Sequence, residues 1–203
     1  AIDSVPLTAI AFFMLTGELM TSATITDRLV ALSRALIGRI RGGLAQVNVL
    51  VSMFFAGMNG SVVADTATVG ALVLPAMKKA GYPAAFSAAV TGVSSTIGGI
   101  IPPSIMMIVL ANSTEISIAA LFAAGIIPGI LIGVVIMIIN HYFAIKYNFE
   151  RSDEPFSIRR AGRELYRSSF ALLIPLVLVG SVMGGVASVV EAGAITAMVA
   201  LLT

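Results

Sequence analysis

Residues 54–83 read FFAGMNGSVVADTATVGALVLPAMKKAGYP. The outer parts are oily enough for a bilayer, yet Asn59, Gly60, Ser61, Asp65, Thr66 and Thr68 crowd into the centre. Two limbs, 44–58 and 61–75, flank the Asn-Gly turn dipeptide. A limb of about 15 residues is ~22 Å long at ~1.5 Å per residue, short of the ~20 residues that a full span needs. These lengths predict a re-entrant helical hairpin with its tip inside the membrane at Asn59-Gly60; two short full spans are the alternative. Irregular backbone at that depth is tolerated only inside protein or beside a watery cavity. A carboxylate such as Asp65 costs ~2.5–3.5 kcal/mol at a helix centre on insertion scales. A tip facing a polar site accounts for both features, and a lipid-facing tip for neither.

Composition puts the rest of the chain in the same solvent. Of the 203 residues 58% are hydrophobic and 11% charged, with a mean hydropathy of +1.03. Soluble domains carry roughly 25% charged residues, so this chain lacks the charge to cover a water-facing surface. The net charge is only +2 and the basic residues sit in loops, which signals membrane sidedness and no nucleic acid. Cysteine is absent, excluding disulfides and thiolate metal sites. His141 is the only histidine, so histidine triads and paired-histidine metal sites are out. No cleavable signal pattern precedes the first apolar run, and the chain ends within another, AITAMVALLT. The expectation is a piece of a longer membrane protein.

Working outward toward the N-terminus, residues 5–24 form a first apolar span with Glu18 near one end. Residues 24–43, TITDRLVALSRALIGRIRGG, interleave Arg28, Arg34, Arg39 and Arg41 with leucines and isoleucines. Thr24 and Asp27 make a capping-box-like start to an amphipathic surface helix. Four arginines in a short connection mark it as cytoplasmic. Lys78-Lys79 belongs to the same side.

Toward the C-terminus, residues 83–111 read PAAFSAAVTGVSSTIGGIIPPSIMMIVLA. Gly98, Gly99, Pro102 and Pro103 will not sustain an α-helix. The segment is predicted to be helical to about Ser95, then unwound, then a second half-helix with proline in its first turn. Broken helices are where secondary transporters build sites, because half-helix N-termini attract anions and freed carbonyls bind sodium. Ala84, Ala88 and Gly92 fall four apart, a spacing for close helix approach, and Gly125, Gly129 and Gly133 repeat it within the next span, 117–145. NSTEIS, 112–117, suits the far side. Residues 146–167 hold six of the twelve basic residues and form the long cytoplasmic connection, expected to be partly helical on the surface, with His141 an interfacial histidine near its start. A further span runs from about 168 to 184, and Ser188–Glu191, SVVE, reads as a capping box.

Five collinear pieces, GELM, GRIRGGLAQVNVLVSMFFAGMNGSVVADTATVG, PAMKKAGYPAAFSAAV, IGGIIPPSIMMIV and LFAAGIIPGIL, resemble the large membrane subunit of tripartite ATP-independent periplasmic (TRAP) transporters, the DctM-like family. The resemblance covers essentially the whole chain, as the N-terminal half of that subunit. It implies an all-α polytopic membrane protein of the ion-transporter-superfamily type, with an elevator fold built from a re-entrant hairpin and a broken transmembrane helix. It also implies sodium-driven uptake of organic acids such as C4-dicarboxylates or sialic acid across the bacterial inner (cytoplasmic) membrane. A periplasmic binding protein delivers the substrate, a small membrane subunit completes the complex in the lipid bilayer, and no cofactor beyond the coupling ion is implied.

Carried over by position, the sodium ligands are Asn59, Gly60, Ser61, Asp65, Ser95, Thr96, Gly98, Gly99 and Pro102, and the substrate contacts are Asn59, Ser61, Pro103 and Ser104. One departure is that Asn59 stands where relatives often have serine, so a hydroxyl ligand is lost. The implied units are a scaffold piece, 1–43, a transport unit, 44–111, and a span, connection and next scaffold segment, 112–203. Rival classes fare worse: a serine hydrolase lacks a placed base, and an aspartyl dyad needs two buried acids where only Asp65 lies deep. A channel would also suit paired interruptions, and a stand-alone sodium/carboxylate symporter would share the fold.

Overall fold

In the computed structural model, the structure describes residues 5–22, 25–37, 40–149 and 157–201. Among them every regular element is helical. The order is α1 (Val5–Ser22), α2 (Ile25–Ile37), α3 (Gly43–Asn59), α4 (Val62–Lys79), α5 (Ala84–Ser95), a 3₁₀ turn (Thr96–Gly99), α6 (Ile105–Thr114), α7 (Ile118–Lys146), α8 (Ile158–Met183) and α9 (Val189–Leu201). Helices α7 and α8, 29 and 26 residues long, are apolar enough to cross a membrane, and only 28% of each apolar window is buried. The core helix of a soluble protein would be covered; these present isoleucine, leucine and valine outward, as lipid or a partner demands.

Helix α3 is the axis of the fold. It is buried along almost its whole length and touches α1, α2, α4, α5, α7, α8 and the 3₁₀ turn. Val47, Val49, Val51, Phe55 and Met58 supply its apolar contacts, while Gly57 lets Pro175 approach. In lipid such packing is held by close contact more than by water exclusion. A second cluster gathers Ala9, Phe13, Ile108, Phe122, Leu178, Val182, Val189 and Ala192.

The two limbs are longer than the sequence suggested: 17 residues in α3 and 18 in α4. Pro75 is accommodated inside α4, and Lys78-Lys79 forms its last turn. The α3–α4 turn nevertheless falls part-way along its neighbours. Asn59 Cβ lies 2.6 Å from where a Cβ on Gly17 would stand, and Pro175 Cβ lies 3.3 Å from that of Gly57. Beyond Pro175, α8 continues to Met183, ~12 Å further at ~1.5 Å per residue.

The glycine row on α7 packs as the spacing predicts. A Cβ on Gly125 would strike the Ile100 carbonyl oxygen, one on Gly129 would strike Ile101, and one on Gly133 would lie 2.5 Å from Met53 Sδ. At the same helix's C-terminal end, rings from three segments interlock: Tyr82 with Phe149 at 4.5 Å, Phe86 with Phe149 at 5.1 Å, and Phe143 with Tyr147 at 5.9 Å.

Four expectations change. Ala84, Ala88 and Gly92 are exposed, and nothing lies within 4 Å of a Cβ on Gly92, so that row makes no close approach within this chain. The prolines precede the second half-helix: Ser104 is its N-cap and Pro102-Pro103 lies before it. The helix expected at 168 starts at Ile158, taking Arg159, Arg160, Arg163 and Arg167 into its first half. The amphipathic helix does not lie free on a surface: α2 packs on α8 and α3, with Ser168 Oγ donating to the Arg28 carbonyl at 3.2 Å. Thr24 and Arg39 lie outside the described residues. The capping box forms, the Ser188 N–H and Oγ each donating to Glu191 Oε2 at 2.8 Å.

Candidate functional site

The hairpin turn and the helix break meet. Helix α3 ends at Gly60 in the left-handed region (φ 58), and α4 starts at once from Ser61, whose hydroxyl accepts from Ala64 N–H at 3.4 Å. Only glycine takes that backbone and that proximity, since a Cβ here would collide with the Pro103 carbonyl oxygen and sit 3.0 Å from Ser104 Cα. The contact is hydrogen-bonded: Ile105 N–H donates to the Gly60 carbonyl at 3.3 Å. Ser104 caps α6, accepting from Met107 N–H at 3.4 Å and donating to the Gly99 carbonyl at 2.8 Å. Two serine-capped helix N-termini, of α4 and α6, are therefore pinned side by side. Their first-turn N–H groups carry partial positive charge suited to an anion. Gly98 lies against the Ser61 carbonyl, 3.8 Å from its would-be Cβ, and Gly99 against Val62.

Asn59 is buried at the turn. Its side-chain oxygen accepts from Ser61 N–H at 3.1 Å, while Nδ2 is buried with no hydrogen-bond partner. The atom left over is a donor, which suits a carboxylate better than a cation.

Asp65 is elsewhere. It lies one turn into α4 and is fully buried. The Ser52 hydroxyl of α3 and the Ser95 hydroxyl of α5 face it. Behind them runs a buried polar chain that the sequence reading did not single out. Ser52 Oγ donates to Ser94 Oγ at 3.3 Å, Ser94 Oγ reaches Asn48 Oδ1 at 3.1 Å, and Asn48 Nδ2 donates to Thr91 Oγ1 at 2.7 Å. The signal was present as spacing: Asn48 and Ser52 on α3, and Ser87, Thr91 and Ser95 on α5, each four apart, a polar stripe on an apolar helix.

The candidate residues thus divide. Asn59, Gly60, Ser61, Gly98, Gly99, Pro103 and Ser104 come together at the turn and break, whereas Asp65 and Ser95 belong to the buried cluster. Thr96 joins neither: it is exposed, its hydroxyl donating to the Val93 carbonyl at 2.7 Å. Pro102 is buried, its carbonyl oxygen 3.9 Å from where a Cβ on Gly57 would stand.

Comparison with known proteins adds a family. Residues 1–203 match the family described as "Tripartite ATP-independent periplasmic transporter, DctM component". The sialic acid TRAP transporter permease protein SiaT of Haemophilus influenzae is 38% identical over 97% of this chain and 32% of its own length. The 2,3-diketo-L-gulonate TRAP transporter large permease protein YiaN of Escherichia coli is 38% identical over 98% of the chain and 47% of its own. The C4-dicarboxylate TRAP transporter large permease protein DctM of Pseudomonas aeruginosa is 36% identical over 95% and 45%. The chain spans between about a third and a half of the length of the curated relatives it matches.

Proposed function

The chain belongs to the DctM component family of tripartite ATP-independent periplasmic transporters, and we propose that it is the N-terminal half of a large permease subunit importing an organic acid across the bacterial inner membrane. Import is driven by sodium, with a binding protein delivering the substrate and a small membrane subunit beside this one; its work is transport, not catalysis.

The observation that supports this reading best is the Ile105 N–H to Gly60 carbonyl bond, which joins a hairpin turn to a helix break. Each element alone would leave polar backbone stranded in an apolar helix bundle; together they give it a common destination. Ser61, Ser104 and the N-termini of α4 and α6 receive a substrate carboxylate, with Asn59 Nδ2 as a further donor. Gly60, Ser61, Gly98 and Gly99 hold the coupling cation's side of the same place. When bound, sodium supplies a positive charge that offsets the substrate's and orders the carbonyls around it. The second half of the subunit completes the site.

The hairpin is re-entrant in this reading. Its turn abuts the interior of α1 and α8, at Gly17 and Pro175, although limbs of 17 and 18 residues could nearly span. The moving unit is α3 through α7, which extends the transport unit past residue 111. The close glycine packing of α7 on Met53, Ile100 and Ile101, and the ring cluster from Tyr82 to Phe149, favour one rigid body. Helices α1, α2, α8 and α9 form the scaffold against which it shifts in elevator fashion.

The test is uptake of radiolabelled organic acids, C4-dicarboxylates and sialic acid among them, into proteoliposomes holding the full-length complex. Each acid is offered with and without an inward sodium gradient and the cognate binding protein. Saturable uptake requiring both is the expected result. Uptake that needs no binding protein would mark a stand-alone symporter, and unsaturable flux a channel; either overturns the reading.

A further inference from the structure

Far from the turn and the break, the charged end of α8 packs on α2. A cleft of about 460 Å³ opens between them, lined by Asp27, Arg28 and Ala31 of α2 and by Glu164 and Arg167 of α8. That volume lies within the ~300–1,000 Å³ of small-molecule sites. Reciprocal bonds pin the two walls together: Arg28 Nη1 donates to the Arg167 carbonyl at 3.4 Å, and Ser168 Oγ donates to the Arg28 carbonyl at 3.2 Å. Glu164 and Arg167 share one face of α8, with Arg167 Nη1 3.5 Å from Glu164 Oε1, at the outer limit of a hydrogen bond. Asp27, Arg28 and Arg167 are exposed, and Glu164 is partly buried. The sequence of α8 gives the depth of the cleft. Arg167 is its last charged residue, with none from Ser168 to Met183. Phe170, Leu173 and Val177 follow at intervals of three and four, each about half exposed. The cleft therefore sits where lipid headgroups give way to acyl chains.

We propose that this cleft binds the headgroup of a zwitterionic phospholipid with a primary ammonium, phosphatidylethanolamine, whose acyl chain runs along Phe170, Leu173 and Val177. Charge decides among the headgroups. The two arginines and two carboxylates cancel, so a purely anionic headgroup would engage the guanidinium groups at the cost of bringing its charge beside both acids. A zwitterion matches each sign. Its phosphate meets the planar forks of Arg28 and Arg167, and its ammonium meets Asp27 and Glu164. That ammonium must be primary: a choline head has no N–H to donate and is held by aromatic faces, and among the described residues no aromatic ring lines the cleft. The proposal rests on the membrane placement in the reading above and on none of its ion or substrate chemistry. A bound headgroup bridges α2 and α8, so the lipid stiffens the pair that the reading assigns to the scaffold.

The test uses the purified full-length complex in detergent, stripped of lipid and titrated with phosphatidylethanolamine, phosphatidylcholine or phosphatidylglycerol of identical acyl chains. Thermal unfolding gives the apparent affinity, and native mass spectrometry counts the lipids retained. Wild type should bind the ethanolamine lipid several-fold more tightly than either of the others, with the largest rise in Tm. Asp27→Asn combined with Glu164→Gln keeps the shape and both arginines. This variant should lose the preference for ethanolamine over choline and bind phosphatidylglycerol more tightly, because the repelling acids are gone. A merely structural role for the two acids would lower Tm without moving the preference. Three results would overturn the proposal in wild type alone: equal binding of the three lipids, tightest binding of phosphatidylglycerol, or no lipid retained because the small subunit covers the cleft. An unchanged ethanolamine preference in the double variant would overturn it too, by placing the lipid elsewhere. Uptake dependent on sodium and the binding protein is assayed separately in proteoliposomes of the same preparation; its absence would strike the functional reading and leave the lipid result standing.

Discussion

Replacing Gly60 by alanine tests the turn-and-break contact on its own, provided that backbone strain is separated from collision. Gly60 and Gly81 both adopt positive φ, 58° and 80°, and an alanine at either incurs the left-handed penalty of ~1–2 kcal/mol. Their surroundings differ. Nothing lies within 4 Å of a Cβ on Gly81, whereas one on Gly60 strikes the Pro103 carbonyl and stands 3.0 Å from Ser104 Cα and 3.1 Å from Ile105 N. Those are backbone atoms and cannot swing aside as the end of a side chain does. The turn and the break must part, adding ~1–3 kcal/mol of overpacking and losing the Ile105 to Gly60 bond, ~0.5–1.5 kcal/mol net. The expected cost is therefore ~2.5–6.5 kcal/mol for Gly60→Ala against ~1–2 kcal/mol for Gly81→Ala. Thermal unfolding of the full-length complex in detergent should show a Tm loss roughly two- to threefold larger at position 60, because within one protein the shift in Tm is proportional to the stability lost. Half-maximal sodium for uptake should rise for Gly60→Ala only. Equal Tm losses at the two positions would refute the claim that the turn is seated on the break.

On α7, Gly125→Ala meets the Ile100 carbonyl while Gly133→Ala meets the far end of Met53. The first should be the more destabilising by at least ~1 kcal/mol, since only a flexible side chain can yield; chemical denaturation of the two variants decides it. Asn48→Ala removes the donor to Thr91 and the acceptor for Ser94 and should lower stability by ~1–3 kcal/mol, with Thr91→Val milder in the same assay. Ser188→Ala breaks the cap of α9 at a cost of ~1 kcal/mol, and its sodium-activation curve should overlay the wild type; a shifted curve would mean that α9 reports on the site.

Much of this architecture was legible because lipid simplifies the alphabet. Where helices present apolar side chains outward, any glycine pair, proline pair or carboxylate stands out, and the break at Thr96–Gly99 followed by α6 lies where Gly98, Gly99, Pro102 and Pro103 put it. Boundaries at the aqueous edge were harder. Helix α8 begins about ten residues before its apolar stretch, because Arg159, Arg160, Arg163 and Arg167 are good helix formers and nothing in their charge says where a helix starts. The Ala84, Ala88 and Gly92 row shows the opposite failure. Small residues four apart permit close packing without supplying a partner, and here they face away from the rest of the chain.

The polar chain from Ser52 to Thr91 was missed for a reason that also explains its form. In water an amphipathic helix hides its apolar stripe; in lipid the rule inverts, and the stripe to look for is polar. Serine and threonine weaken that signal, because each can return its hydrogen to a carbonyl one turn back, as Ser94, Ser95 and Thr91 do. A lone Ser or Thr on an apolar helix therefore reads as self-satisfied. Asn48 cannot close on itself in that way, and Asp65 can only accept. Those two residues, 17 positions apart on opposite limbs of one hairpin, require partners from other helices. The same α5 stripe serves both: Thr91 and Ser94 bind Asn48, and Ser95 faces Asp65. The hairpin and the first half of the broken helix are thus matched to each other by polarity as well as by shape, which ties the turn to the break before any ligand arrives.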